Sequence, residues 1–277
     1  MTQGLLRDRL VLRLAEMGDA PDYIRLAEEI LTIRNAPEAL ARRLVAQALV
    51  VEDRREAWTR VGETACQSAS RGPAVYLFRD ASGRLLYVGK ALNLQRRLRA
   101  HFAPGRWRAL KPLMAHVTTV EWQEVGSELE ALLAEAQLIQ QLTPVANVQR
   151  ERGEPLPTRS ADVVVLLPAR DAASVMVIAA RRDGAVLIQS TCRDGSGLDD
   201  IAHSLADFFA VASTHLSEDK DRPVVDRASI VHAWLRQRGA QATRFDATDP
   251  VESDEWCRRL SQALASNELF HQRLMFR

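Results

Sequence analysis

The sequence predicts a multidomain α+β protein in three units. A small, helical, winged-helix-like module covers residues 1–63, a central α/β sandwich with a small antiparallel sheet covers 73–150, and a C-terminal α+β domain covers 160–277. Three observations carry this division. Apolar residues recur at helical spacing up to Leu49, two strand-like runs begin after Pro73, and the polar, proline-punctuated stretch ERGEPLPTRS precedes a second set of strands and helices.

The N-terminal unit reads as three short helices, with apolar stripes at Leu5, Leu6, Leu10 and Leu14, then Ile24, Ala27, Ile30 and Leu31, then Leu40, Leu44 and Ala48. Pro21 and Pro37 stand at the openings of the second and third helices, where a missing N–H costs nothing. The pattern VVEDRREAWTRV then predicts two short strands around a polar turn, and ETACQSASR predicts a linker. A hairpin after three helices is the outline of a winged helix, whose third helix would offer Arg42, Arg43 and Gln47 to DNA or to a protein.

In the central unit, Val75 to Phe78 and Leu85 to Val88 flank a turn containing Asp80, Ser82 and Gly83, and should pair as an antiparallel hairpin. Tyr76 and Tyr87 then lie on neighbouring strands. A helix follows with Asn93 as its N-cap, and Asn93, Arg97 and His101 share one face at intervals of four. From Arg84 to Lys111 there are eight Lys or Arg residues and no Asp or Glu, although the net charge of the chain is only +1. A basic island in a neutral chain is the footprint of a phosphate-binding face, to which Arg96, Arg99, His101, Arg106, Arg108 and Lys111 would contribute.

Downstream, Ser127 and Glu130 form a capping box that opens a helix. Within that helix the residues three and four positions from Glu135 are Ala131, Leu132, Leu138 and Ile139. A carboxylate on an apolar stripe costs several kcal/mol unless it is paired or binds a metal, so Glu135 calls for a reason. A salt bridge to the basic island is the alternative. Glu130 is expected to be solvated.

The C-terminal unit gives strands at Val163 to Leu167, Ser174 to Ala180 and Val186 to Ser190, the last after an Asp183-Gly184 turn, with another near Ala242 to Phe245. Helices are predicted at Leu198 to Ala212, Arg227 to Arg238 and Val251 to Ala265. His203, His215 and His232 have no ligand or triad spacing, and no site is assigned there. No run approaches the roughly 20 apolar residues of a membrane span. The three cysteines are far apart, which suits free thiols in a reducing compartment, and a cytoplasmic location is expected.

These motifs resemble the GIY-YIG nucleases, in the branch of the UvrC N-terminal domain and the UvrC homologue Cho. The first family tripeptide appears as Ala74-Val75-Tyr76 and the second as Tyr87-Val88-Gly89, followed by Lys90, Arg97 and His101, and then by SELEALLAEAQLIQQLTPVAN with Glu135 and Asn147. The resemblance covers roughly 75 residues, with several spaced motifs in order. It implies single-strand DNA cleavage with Tyr87 as general base, Lys90 beside it, Arg97 bracing the phosphate, Tyr76 positioning water or phosphate, and Asn147 orienting the site. It also implies that Glu135 holds one Mg²⁺, with Mn²⁺ able to substitute. DNA is the implied substrate, and UvrA- and UvrB-type repair proteins are implied partners, with no membrane involved. Ala74 stands where the family has glycine, His101 where relatives often have tyrosine, and Ala146 where an aromatic precedes the asparagine. Two other readings stay open: a DNA-binding protein that keeps the fold without catalysis, and a mobile-element or defence nuclease.

Overall fold

The computed structural model describes residues 6–18, 20–103, 112–147, 161–211, 226–239, 242–249 and 251–266. It begins with α1 (Leu6–Met17), α2 (Tyr23–Glu29) and α3 (Glu38–Ser68). Asp22 caps α2 by accepting the Arg25 N–H, and Leu10, Leu26, Ile30 and Val45 form a small core among the three helices. Arg42 lies over the Tyr23 ring, 5.0 Å from its centre.

The predicted hairpin and linker are not there. α3 runs for 31 residues through the hairpin and on to Ser68 within the predicted linker, and no strand precedes Ala74 among the described residues, so the winged-helix expectation is corrected to a helical module. The physical reason lies in what the second half of α3 packs against. Trp58, Ala65 and Ala69 are buried in one cluster with the central sheet and its helix, with Val61 against it. Gly62 is no breaker: a Cβ there would lie 2.5 Å from the Phe102 side chain, so the glycine marks a close helix-to-helix approach.

The central sheet has the order β2-β1-β3, with β1 (Ala74–Arg79), β2 (Leu85–Ala91) and β3 (Thr119–Glu124), all antiparallel. Its tight turn is built by Asp80, whose Oδ1 accepts the Ser82 and Arg84 N–H groups and the Ser82 hydroxyl, with Gly83 at φ 80°. α4 (Leu94–His101) follows β2, a 3-10 turn (Pro112–His116) precedes β3, and α5 (Glu128–Leu142) closes the unit. Side chains alternate across the sheet. Ala74, Tyr76 and Phe78 face the α3 and α4 side, and α5 covers the other.

The second sheet has the order β6-β5-β4-β7, with β4 (Val163–Pro168), β5 (Ser174–Ala180), β6 (Val186–Cys192) and β7 (Thr243–Asp246). α6 (Leu198–Ala210), α7 (Arg227–Gln237) and α8 (Ser253–Ala265) complete it. Both faces are covered, which is why β4 is a continuous apolar run. Val164 and Leu166 pack with Leu205, Trp256 and Leu260 of α6 and α8. Val163, Val165 and Leu167 pack with Val231 and Trp234 of α7 and with Leu129 and Leu133 of α5. Helix α5 therefore has one side on the first sheet and another in the core of the second. Gly126, just before it, meets β4 so closely that a Cβ would lie 2.3 Å from the Pro168 carbonyl oxygen. No described helix is long and apolar enough to cross a membrane.

Candidate active site

A cleft of about 350 Å³ opens where β2, the start of α4 and α5 meet, and Tyr87, Lys90, Arg96, Arg97, Glu128, Glu135 and Arg238 line it. Four cations thus face two carboxylates among its described lining residues, a balance suited to a polyanion.

On one wall sits a tyrosine cluster. The pairing of Phe78 with Tyr87 and of Tyr76 with Gly89 brings the two tyrosine rings to 6.0 Å between centres. This approach requires the glycine of the second tripeptide, because a Cβ at Gly89 would lie 2.5 Å from the Tyr76 hydroxyl and 2.7 Å from the Tyr87 ring. Tyr76 is fully buried, and burial, followed by the neighbouring Tyr87, pushes its phenol above the ordinary value. It stays protonated. Its oxygen accepts from Arg97 Nε at 3.2 Å, and the hydroxyl is 2.7 Å from His101 Nε2. Burial opposes the Arg97 charge, but the Tyr76 and Tyr87 hydroxyls outweigh it and raise its pKa. Asn93 caps α4 by accepting the Arg96 N–H at 2.8 Å, which sets the angle at which Arg97 and His101 reach the tyrosines one and two turns later.

α5 forms the opposite wall. Ser127 caps it by accepting the Glu130 N–H at 3.2 Å, and Glu130 reaches back to the Gly126 N–H at 2.8 Å. Glu130 is therefore half-buried and bonded rather than solvated, and burial raises its pKa. Glu135 is 6% exposed and opens on the cleft. Glu128, which the sequence reading passed over, is 4% exposed on the same helix. It accepts from Lys90 Nζ at 2.6 Å and from Arg238 Nη1 at 3.0 Å to each oxygen. The signal was available: Glu128 and Glu135 are seven residues apart, two turns of one helical face and roughly 10 Å along its axis. Lys90, three residues after Tyr87, projects from the opposite face of β2, and its ammonium is held by α5.

Asn147 does not touch the cleft. β2 is an edge strand, and the Asn147 side chain pairs with that edge as a short strand would, accepting the Val88 N–H and donating to the Val88 carbonyl, both at 2.9 Å. The Ala146 N–H adds a bond to Leu86 O at 2.8 Å, so the backbone aims Asn147 without an aromatic at that position. Ala74 is an ordinary strand residue paired with Ala91 and Glu124. Arg96 and Arg99 are exposed on α4. Arg106, Arg108 and Lys111 lie outside the described residues.

The central unit thus carries a tyrosine on each of two adjacent antiparallel strands, an arginine from the next helix and a buried glutamate on the helix opposite. Residues 72–148 match the family model of the UvrC-like GIY-YIG domain. Over 76 residues, 27% of this chain, it is 45% identical to UvrABC system protein C of Desulforudis audaxviator, covering 12% of that protein. With the same protein of Nitrobacter winogradskyi the match extends over 144 residues at 33% identity, 52% of this chain and 18% of the relative. The chain thus spans less than a fifth of the length of these curated relatives. Among solved structures, the N-terminal GIY-YIG endonuclease domain of Thermotoga maritima UvrC with its catalytic magnesium aligns at 30% identity and a TM-score of 0.27, covering 31% of this chain and 94% of that one.

Proposed function

We propose that the 72–148 domain is a divalent-metal-dependent DNA endonuclease that hydrolyses a phosphodiester bond on one strand, as in the incision step of nucleotide excision repair. The observation that carries this reading is the cleft itself, in which a buried carboxylate, Glu135, faces a half-buried tyrosine and an arginine amid a surplus of positive charge.

Phosphodiester hydrolysis needs a base for water, countercharge for the phosphate and help for the departing oxygen. Tyr87, whose side chain lines the cleft, takes the proton from water. Arg97, steadied by Tyr76, braces the non-bridging phosphate oxygens. Lys90 adds positive charge from the other side of β2, and Asn147 fixes β2 between Tyr87 and Gly89. His101 holds the Tyr76 hydroxyl, and Arg96 and Arg99 meet the DNA backbone.

The donor set fits magnesium. No group of three or more His, Cys, Asp or Glu gathers among the described residues, and Glu135, buried on the cleft wall, is the carboxylate that would hold a hard ion that keeps most of its waters. When bound there, Mg²⁺, or Mn²⁺ in its place, supplies Lewis-acid stabilisation of the leaving oxygen.

Nicking of supercoiled plasmid tests this. The wild type converts it to open circles with Mg²⁺ and not with EDTA, and Tyr87→Phe does so at least about a hundredfold more slowly. Strong, salt-sensitive DNA binding without metal-dependent cleavage on any substrate would leave a binding module instead. Incision of lesion-bearing duplex with and without UvrA and UvrB tests the repair assignment, and defined cuts in undamaged DNA would move it toward a mobile-element or defence enzyme.

A further inference from the structure

Glu128 collects cations from two distant parts of the chain. Lys90 comes from the end of β2, and Arg238, 110 residues away in sequence, comes from the end of α7 in the C-terminal unit. The placement of Arg238 is built in. Its backbone N–H donates to the Trp234 carbonyl at 2.8 Å, and Trp234 is 3% exposed in the core that also contains Leu129 and Leu133 of α5. The next residue is Gly239, where a Cβ would lie 2.6 Å from the Trp234 ring, so the chain leaves α7 by a path that only glycine fits. The Arg238 side chain is 55% exposed and lines the cleft with Tyr87, Arg97 and Glu135.

Counting charge gives this arrangement a role. A carboxylate bonded to Lys90 alone would make a one-to-one pair and cancel the ammonium where the phosphate must sit. With Arg238 on both oxygens, one negative charge is divided between two cations, and the trio stays net positive at the cleft wall. We propose that Arg238 is a positioning residue for strand cleavage, lent by the C-terminal unit, which shares Glu128 with Lys90 and so keeps Lys90 effective as a cation toward the scissile phosphate. The proposal rests on the nuclease reading of the cleft. The other groups facing Lys90 across that space are Tyr87, Arg96, Arg97 and Glu135.

The test uses the full chain and steady-state cleavage of a labelled duplex with Mg²⁺. Arg238→Ala and Arg238→Gln lower kcat about tenfold, the low end of what supporting residues contribute, with KM changed less than about twofold, while Arg238→Lys recovers most of the rate because it keeps the charge. Wild-type kcat in Arg238→Ala, equal rates for the Lys and Gln variants, or a rise in KM alone would overturn it. A second readout does not depend on cleavage. In protein carrying ¹³C-methylated lysines, the NMR titration midpoint of Lys90 rises in Arg238→Ala and Arg238→Gln and stays near the wild-type value in Arg238→Lys. An unmoved midpoint in Arg238→Ala refutes the coupling. If the wild type cuts nothing, the nuclease reading fails, and this titration still decides whether Arg238 governs Lys90.

Discussion

The two sheets of this chain are both antiparallel and both covered by helices, yet they put their strands to different use. In the four-stranded sheet, Val163 to Leu167 of β4 are all buried and serve only packing. In the three-stranded sheet, β1 and β2 carry Tyr76, whose hydroxyl meets Arg97 and His101 of α4, and Tyr87 and Lys90, which line the cleft between α4 and α5. The difference teaches where chemistry can be placed. A small sheet leaves an open end on which few polar groups need burial, whereas a sheet buried on both faces has no room for them and acts through its neighbours. Here its influence passes through α5, shared by both cores, and through Arg238 at the end of α7.

That contrast can be broken by mutation, and the largest effect belongs to the small sheet's cleft. Glu135→Gln should lower the nicking rate about a thousandfold, the scale of losing one transition-state charge contact, with DNA affinity nearly kept in a gel-shift titration. Arg97→Ala should cost about a hundredfold in kcat by single-turnover cleavage. In the large sheet, Leu166→Ala should cost about 2 to 5 kcal/mol in urea unfolding, because the side chain is fully buried, and leave the turnover of the folded fraction as it was. A large loss of turnover there would erase the distinction between the sheets. Asn147→Ala leaves the Val88 N–H and carbonyl without their side-chain partner and should cost about 1 to 3 kcal/mol, with a slower cleavage rate as β2 loosens. Smallest is Arg99→Ala, at an exposed arginine proposed to meet the DNA backbone, which should reduce the slope of log affinity against log salt by about one.

β1, β2, the Asn93 and Ser127 caps, and most of the C-terminal elements were legible because each rests on a local signal, namely alternation, a capping side chain or an Asp-Gly turn, whereas β3 was not read. α3 was misread for a nonlocal reason. Its β-branched pair Val50-Val51 and its small, polar end look like strand and linker, but Trp58, Val61, Ala65 and Ala69 keep helical spacing against a sheet that comes later in the chain. The site divided the same way. Tyr76, Tyr87, Arg97 and Glu135 were readable from spacing, and the structure brings all four around one cleft wall or another. Glu128 carried a spacing signal, seven residues before Glu135, that was passed over, and Arg238 carried none, because what marks it is a contact across 110 residues, formed only when α7 docks on α5.

One measurement reaches the central claim most directly: cleavage of an end-labelled duplex by the wild type and by Glu135→Gln across a Mg²⁺ titration, with DNA binding followed in parallel. The wild type is expected to cut one strand as Mg²⁺ is added and to stop in EDTA, while Glu135→Gln binds comparably and does not cut. Equal, Mg²⁺-dependent cutting by both proteins would contradict the assignment of the cleft.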